Sequence, residues 1–285
     1  SRPIYYEYCI YTRFHLRTLC VFYVIFDKIN DALATTPMAR RWKYVDDLTI
    51  AESRKMGDES AIATAITDFQ LWCDDTQLRL NPAKCKVMQV SLARAAIPSP
   101  RIELCNNVLE EVKELKLLGV IIQANLRWNS HVNEIIKKAS RKFYLIRSLK
   151  RFNAPRKDSL TVYTSYIRPT FEYCVPLWHS GITVQQSNNI EMIQKRALRI
   201  ILCDQYVSYR NALQKTELAT LSERRDKLSL KFAESLQRNF KDWLPEAQNQ
   251  RLRRSNRLRE IKCRTERFRN SALPFLVRLI NRHSE

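Results

Sequence analysis

The stretch RRWKYVDDLTI, residues 40–50, places two adjacent carboxylates, Asp46 and Asp47, between an aromatic run and an apolar one. Like charges side by side repel, so the pair belongs either in a solvated turn or next to something cationic. Trp42 and Tyr44 alternate before the pair, and Leu48 and Ile50 alternate after it. Alternation at a period of two predicts two short strands. Asp-Asp between them suits a tight turn, because short acidic side chains can bond to their own backbone. The expectation is a hairpin carrying two carboxylates at its tip.

Working outward from that hairpin, Asp58 to Thr76 reads as an amphipathic helix with Ile62, Ile66, Phe69 and Trp72 on one face. LRLNPAKCKVMQV (78–90) reads as a turn followed by a strand. VKELKLLGVII (112–122) reads as a strand or hairpin bending at Gly119. Upstream, residues 19–34 read as a helix or a strand followed by a helix. Residues 1–18 show no clear period and are left unplaced. From Asn129 the pattern is helical. NSHVNEIIKKASRKFYLIRSLKR puts Val132, Ile135, Ile136, Ala139, Phe143, Ile146 and Leu149 on one stripe, with Asn129 or Ser130 as N-cap. Lys137, Lys138, Arg141, Lys142 and Lys150 are assigned to its other face. Further helices are expected near 156–168, 184–202, 208–215 and 220–239. The basic stretch 251–270 is followed by an apolar closing segment.

Charge divides the chain. It carries 49 Lys+Arg against 29 Asp+Glu, a net +20, over 285 residues. Residues 1–135 hold 17 basic and 16 acidic groups, and residues 136–285 hold 32 and 13. Nearly all the excess is in the second half, which implies a polyanionic partner, most naturally nucleic acid. Only three glycines occur, so Gly-rich phosphate loops are excluded. The eight cysteines form no CxxC and no zinc spacing, and read as reduced structural thiols. The longest apolar run, LCVFYVIF (19–26), is too short to span a bilayer, and no clean small-residue cleavage site follows it. A nuclear or cytoplasmic location with no membrane partner is expected. His131 and the Trp178–His179 pair read as packing residues, since no partner ligands have fitting spacing.

WKYVDDLTI, FQLWC, LRLNPAKCKVM and ELKLLGVII, in that order, resemble the later palm motifs of reverse transcriptases. LRWNSHVNEIIKKASRKFYLIRSLKR, YIRPTFEYCVPLWHSGIT, IEMIQKRALRII and FRNSALPFLVRLIN are similar to the region after the polymerase core in non-LTR (LINE-type) retrotransposons. The resemblance implies an α+β fold: a partial palm, with a small antiparallel sheet and helices, followed by a mainly α-helical thumb and C-terminal region. The boundaries expected are 1–18 unplaced, 19–127 partial palm, 128–240 thumb-like, and 241–285 basic C-terminal region.

What the resemblance implies for single residues follows. Asp46 would be a direct ligand of Mg2+ (or Mn2+), and Asp47 the second carboxylate. Hard divalent cations prefer such oxygen ligands, and two of them can clamp an in-line phosphoryl transfer. Tyr44 and Val45 would flank the primer terminus. Lys84 would donate a proton to the leaving pyrophosphate, with Lys86 as the competing choice. Leu118 and Gly119 would form the primer-gripping turn. The implied partners are an RNA template, a DNA primer or an RNA–DNA hybrid, and deoxynucleoside triphosphates if the chain is active.

The departures from the family weigh as much. The palm needs a third carboxylate on a strand well upstream of the hairpin, and a Gln-Gly segment ordering template and nucleotide. Neither is present, and Asp27 and Asp31 lie too close to Asp46 to stand in. An N-terminal polymerase part is thus expected in the parent protein. Two readings result: a C-terminal portion of a reverse transcriptase, inactive as this chain alone, or a non-catalytic basic nucleic-acid-binding remnant.

Overall fold

The computed structural model describes residues 5–13, 39–44, 47–55, 60–77, 80–90, 101–239, 244–245 and 257–283. The chain divides into two compact units, Ser1–Arg127 and Trp128–Glu285. The first is built on sheets and the second on helices, a mixed α and β fold.

The sheet of the first unit begins in the N-terminal segment that shows no period. β1 (Tyr5–Arg13) is a strand, which places much of the N-terminal segment left unplaced above. β2 (Ala39–Tyr44) and β3 (Asp47–Lys55) form the expected antiparallel hairpin. β1 pairs with β3 on one side and with β4 (Lys86–Val90) on the other. With β7 (Glu110–Glu111) parallel to β4, the order is β2-β3-β1-β4-β7. β1 lies between β3 and β4 in the sheet, and its sequence YYEYCIYTR keeps no apolar–polar alternation that a period search could find. The expected helix over 19–34 lies outside the described residues.

One face of this sheet is covered by α1 (Ala61–Asp75). Leu48, Ile50 and Val87 from the strands meet Ile62, Ile66, Phe69 and Cys73 from the helix in one core cluster. Trp72 is only partly buried and stacks on Phe69, with centroids 5.9 Å apart. Glu52 ties the two layers together from β3. It is 4% exposed and its carboxylate accepts from Ser60 Oγ (2.6 Å), Ala61 N (2.8 Å) and Ile62 N (3.0 Å). A carboxylate against the unpaired amides of a helix N-terminus satisfies both partners. Cys73 and Cys85 lie in this core, and burial pushes their thiols up to about 12 and about 11. They are inert thiols, as their lack of motif spacing suggested.

Two small hairpins complete the unit. β5 (Glu103–Leu104) pairs with β6 (Asn107–Val108), and β8 (Glu114–Leu117) with β9 (Val120–Gln123). Each turns through two residues with positive φ: Cys105 and Asn106 in the first, Leu118 and Gly119 in the second. Two such residues match the natural twist of a hairpin.

The second unit packs around α2 (Asn129–Arg151), whose predicted stripe is its buried face. Neither Asn129 nor Ser130 caps it. The N-cap is Trp128, without a side-chain cap, and Asn129 Oδ1 instead accepts from Gln186 Nε2 at 2.6 Å. The helix expected over 156–168 is broken into α3 (Arg156–Val162), a π turn (Tyr163–Ile167) and α4 (Pro169–Glu172). Pro169 supplies no amide for the α ladder, and Arg168 N reaches back to Tyr163 O at 2.8 Å. α5 (Val175–Trp178) precedes α6 (Val184–Leu202), which opens on a capping box made by Thr183 and Gln186. α7 (Tyr209–Thr216), α8 (Leu221–Asn239), α9 (Glu266–Arg269) and α10 (Ala272–His283) follow.

Polar groups in this core are specifically matched. Tyr163 OH donates to Gln194 Oε1 (2.6 Å), and Gln194 Nε2 donates to Tyr209 OH and to the Ala219 carbonyl, both at 2.9 Å. Arg224 of α8 clasps Glu172 of α4 through two bonds of 2.8 and 2.9 Å. Gly181 is required by a close approach: a Cβ there would stand 2.5 Å from the Trp128 indole nitrogen. Among the described residues no helix is long and apolar enough to cross a membrane.

Candidate nucleic-acid interface

The hairpin register ends with Tyr44 opposite Asp47, so residues 45 and 46 connect the strands. Both expected site residues there, Val45 and Asp46, lie outside the described residues. Asp47 is not at the tip but is the first residue of β3, and it is half-buried. On its other side the register sets Arg13, the last residue of β1. Tyr44 is 61% exposed beside it. Asp47 therefore stands between an aromatic and a cationic residue in the pairing pattern. Among the described residues no group of three His, Cys, Asp or Glu could hold a metal ion.

The other residues assigned to this unit are dispersed. Lys84 ends a 3₁₀ turn (Pro82–Lys84) on the entry to β4. Lys86, the alternative, pairs with Glu110. Leu118 and Gly119 occupy the β8–β9 turn, where Leu118 is 41% exposed.

In the second unit the five basic residues assigned above to the outer face of α2 separate into two groups. Lys142 is committed inward: its Nζ donates to the Tyr166 carbonyl and to Thr170 Oγ1, both at 2.9 Å, and sits 4.2 Å from the Tyr166 ring centroid. It staples the π turn to α2, and burial followed by Lys138 lowers its pKa. Lys138 faces Glu134 at 3.7 Å. Lys150 is exposed, and a hydrogen bond with the Cys203 thiol raises its pKa.

Lys137 and Arg141 are exposed on the outer face. At about 3.6 residues per turn, Tyr144, Arg147 and Arg151 fall on that same face. All three are exposed, Tyr144 by 62%. The signal that reveals them is the spacing 137, 141, 144, 147, 151, read from the first outward lysine rather than from the apolar stripe. The result is a cationic strip about four turns long interrupted by one exposed aromatic ring. Guanidinium and ammonium groups neutralise phosphates, and an aromatic face among them can stack on a base.

Buried histidines take no part in it. His131 is 2% exposed, edge-on to the Trp128 and Trp178 rings, and burial pushes its pKa down to about 4. His179 accepts at Nδ1 from Arg225 Nε (3.2 Å) and donates from Nε2 to Asp226 Oδ1 (2.8 Å). Burial is the main cause lowering its pKa. Arg225 itself is 1% exposed, a position no charge pattern predicts.

No protein-family model matches the chain, and no solved structure matches it. Curated relatives do. The chain is 25% identical over 206 residues to a probable RNA-directed DNA polymerase from transposon BS of Drosophila melanogaster. It is 22% identical over 201 residues to the RNA-directed DNA polymerase from mobile element jockey, and 24% identical over 206 to a probable one from transposon X-element, both of the same fly. The matches cover 68–69% of this chain but only 21–22% of the relatives, so the chain corresponds to about a fifth of their length. Motif order and these matches agree: over about two thirds of its length the chain is related to part of the RNA-directed DNA polymerases of non-LTR retrotransposons.

Proposed function

We propose that this chain is the nucleic-acid-gripping portion of a retrotransposon reverse transcriptase, spanning a partial palm and the thumb-like helices after it. The observation that carries the reading is the exposed strip Lys137–Arg141–Tyr144–Arg147–Arg151 on a helix whose opposite face is core. The grip is on the backbone and the shape of an RNA–DNA hybrid, with little reading of base sequence. In the parent polymerase the reaction is attack of a primer 3′-OH on the α-phosphate of a deoxynucleoside triphosphate, which breaks the α–β phosphoanhydride bond and releases pyrophosphate. Asp46, Asp47 and Lys84 are the residues proposed to serve it, with Mg2+ or Mn2+ as the metal. We expect no extension from this chain by itself, because its sequence lacks the family's third carboxylate on a strand well upstream of the hairpin.

The second reading, a non-catalytic binding remnant, is favoured by one observation. The residue set opposite Asp47 on β1 is Arg13, a cation where a metal-binding sheet would place an acid.

The experiment is hybrid binding and primer extension by the purified chain. Affinity for an RNA–DNA hybrid should fall steeply with salt, by about 0.9 log units per log unit of salt for each phosphate contact, and no primer should be extended. Salt-independent binding, or none, would refute the grip. Extension abolished by Asp46→Ala would refute the inactivity.

A further inference from the structure

We infer that a cavity between α9 and α10 is a second phosphodiester-binding site, built from residues other than those of the α2 strip. The cavity has a volume of about 340 Å³ and is lined by Arg269, Arg278 and Arg282 together with Glu266, Phe275 and Leu279. Three arginines line one concavity, with a single carboxylate among the lining residues. Glu266 reaches Arg269 Nη1 only at 3.7 Å, and both side chains are more than half exposed. Such a pair neutralises little. Arg278 and Arg282 form no ion pair among the described residues.

The arginines are set on a rigid base. α10 buries Pro274, Leu276, Val277 and Ile280. The Asn281 side chain accepts from Leu258 N (2.8 Å) and donates to Leu258 O (3.0 Å), pinning the helix to the preceding chain. Arg278 and Arg282 lie one turn apart on that helix. Arg278 Nη2 donates to the Arg269 carbonyl at 2.8 Å, which fixes one guanidinium at the rim and leaves its other donors for a ligand. Like charges lining one concavity repel, and an anion between them relieves the repulsion. Planar forks of N–H donors match phosphate oxygens in pairs.

The volume is in the range of ligand sites and exceeds what a bare phosphate needs. Phe275 and Leu279 give the cavity an apolar wall. A phosphodiester with its sugar meets both features. The ligand class rests on the proposed function; the location does not.

The test uses the full chain and a labelled RNA–DNA hybrid, with affinity measured across a range of salt. Arg269→Ala with Arg282→Ala keeps the Arg278 bond. It should lower the salt slope by about 1.8, the value for two lost contacts, with the far-UV circular dichroism unchanged. If that double variant misfolds, Arg282→Ala alone, at an exposed position, should lower the slope by about 0.9. Arg278→Lys keeps the charge but loses the fork, and should weaken binding several-fold. An unchanged slope in a wild-type-like binder would overturn this site and leave the α2 strip standing. Failure of the wild type to bind hybrid would remove both. Binding to phosphatidylserine vesicles, lost in the double variant while hybrid binding persists, would assign the cavity to lipid headgroups and overturn the proposal.

Discussion

The two units solve the problem of charge in opposite ways. In the sheet-bearing unit, charged groups sit close to partners: Glu52 is spent on a helix N-terminus and Lys86 on Glu110. In the helical unit, exposed cations outnumber their partners along α2 and around the α9–α10 cavity. A domain that leaves repulsion unrelieved is made to meet an anion. The acidic hairpin draws the eye in the sequence, but the exposed cations on which the proposed grip rests are in the helices.

The largest effect that can separate the units is a core deletion in one of them. Trp178 is fully buried and donates to the Tyr173 carbonyl at 3.0 Å. Trp178→Ala should cost about 3–5 kcal/mol and abolish hybrid binding at 37 °C. Phe69→Ala carries a similar cost of about 3–5 kcal/mol, but on the first unit's core, and should leave hybrid affinity within about two-fold of wild type. Denaturant unfolding with parallel binding assays checks both. Equal loss of binding in the two variants would break the distinction.

A smaller effect tests how the sheet is joined to its helix. Glu52→Gln removes the charge that serves Ser60 Oγ and two α1 amides, and should cost about 1–3 kcal/mol. Urea unfolding should show the loss without any change in the salt slope of binding. Loss of affinity here would show that the first unit contributes to the grip.

The pH dependence should belong to the helical unit. His131 and His179 both have folded pKa values below the ordinary value near 6.5. Their neutral forms are therefore favoured by folding. The stability they contribute is full above about pH 6.5 and is lost as pH falls, toward about 4 for His131. Protonation of His179 also removes the acceptor of Arg225. Near-UV circular dichroism between pH 7 and pH 4 should report this loss from Trp128 and Trp178, and His131→Phe should shift the transition to lower pH.

The smallest effect is at the β8–β9 turn. Leu118 has φ 45°, costly for a residue with a large side chain. Leu118→Asn should raise stability by about 0.5–1 kcal/mol in thermal unfolding.

Much of this fold was legible because it is periodic. The apolar stripe from Val132 to Ile146 is the buried face of α2, and the alternation around Asp46–Asp47 does mark a hairpin. What was not legible has a physical cause in each case. The sequence of β1, YYEYCIYTR, does not alternate apolar and polar residues, so no period-two signal marks it. The π turn at Tyr163–Ile167 follows from Pro169, whose effect propagates backward along the chain. Lys142 looks like any surface lysine until Tyr166 and Thr170 are folded against it. The outer strip was half seen: Lys137 and Arg141 were read, whereas Tyr144, Arg147 and Arg151 require the helix phase to be followed to its end.

The most direct measurement is hybrid affinity in a charge-reversal comparison between the units. Lys137→Glu with Arg141→Glu should reduce affinity at least ten-fold and flatten its salt dependence. Asp46→Ala with Asp47→Ala should leave both unchanged, with or without Mg2+. If instead the aspartate variant loses binding and the helix variant retains it, the grip lies at the hairpin and the account given for the helices is wrong.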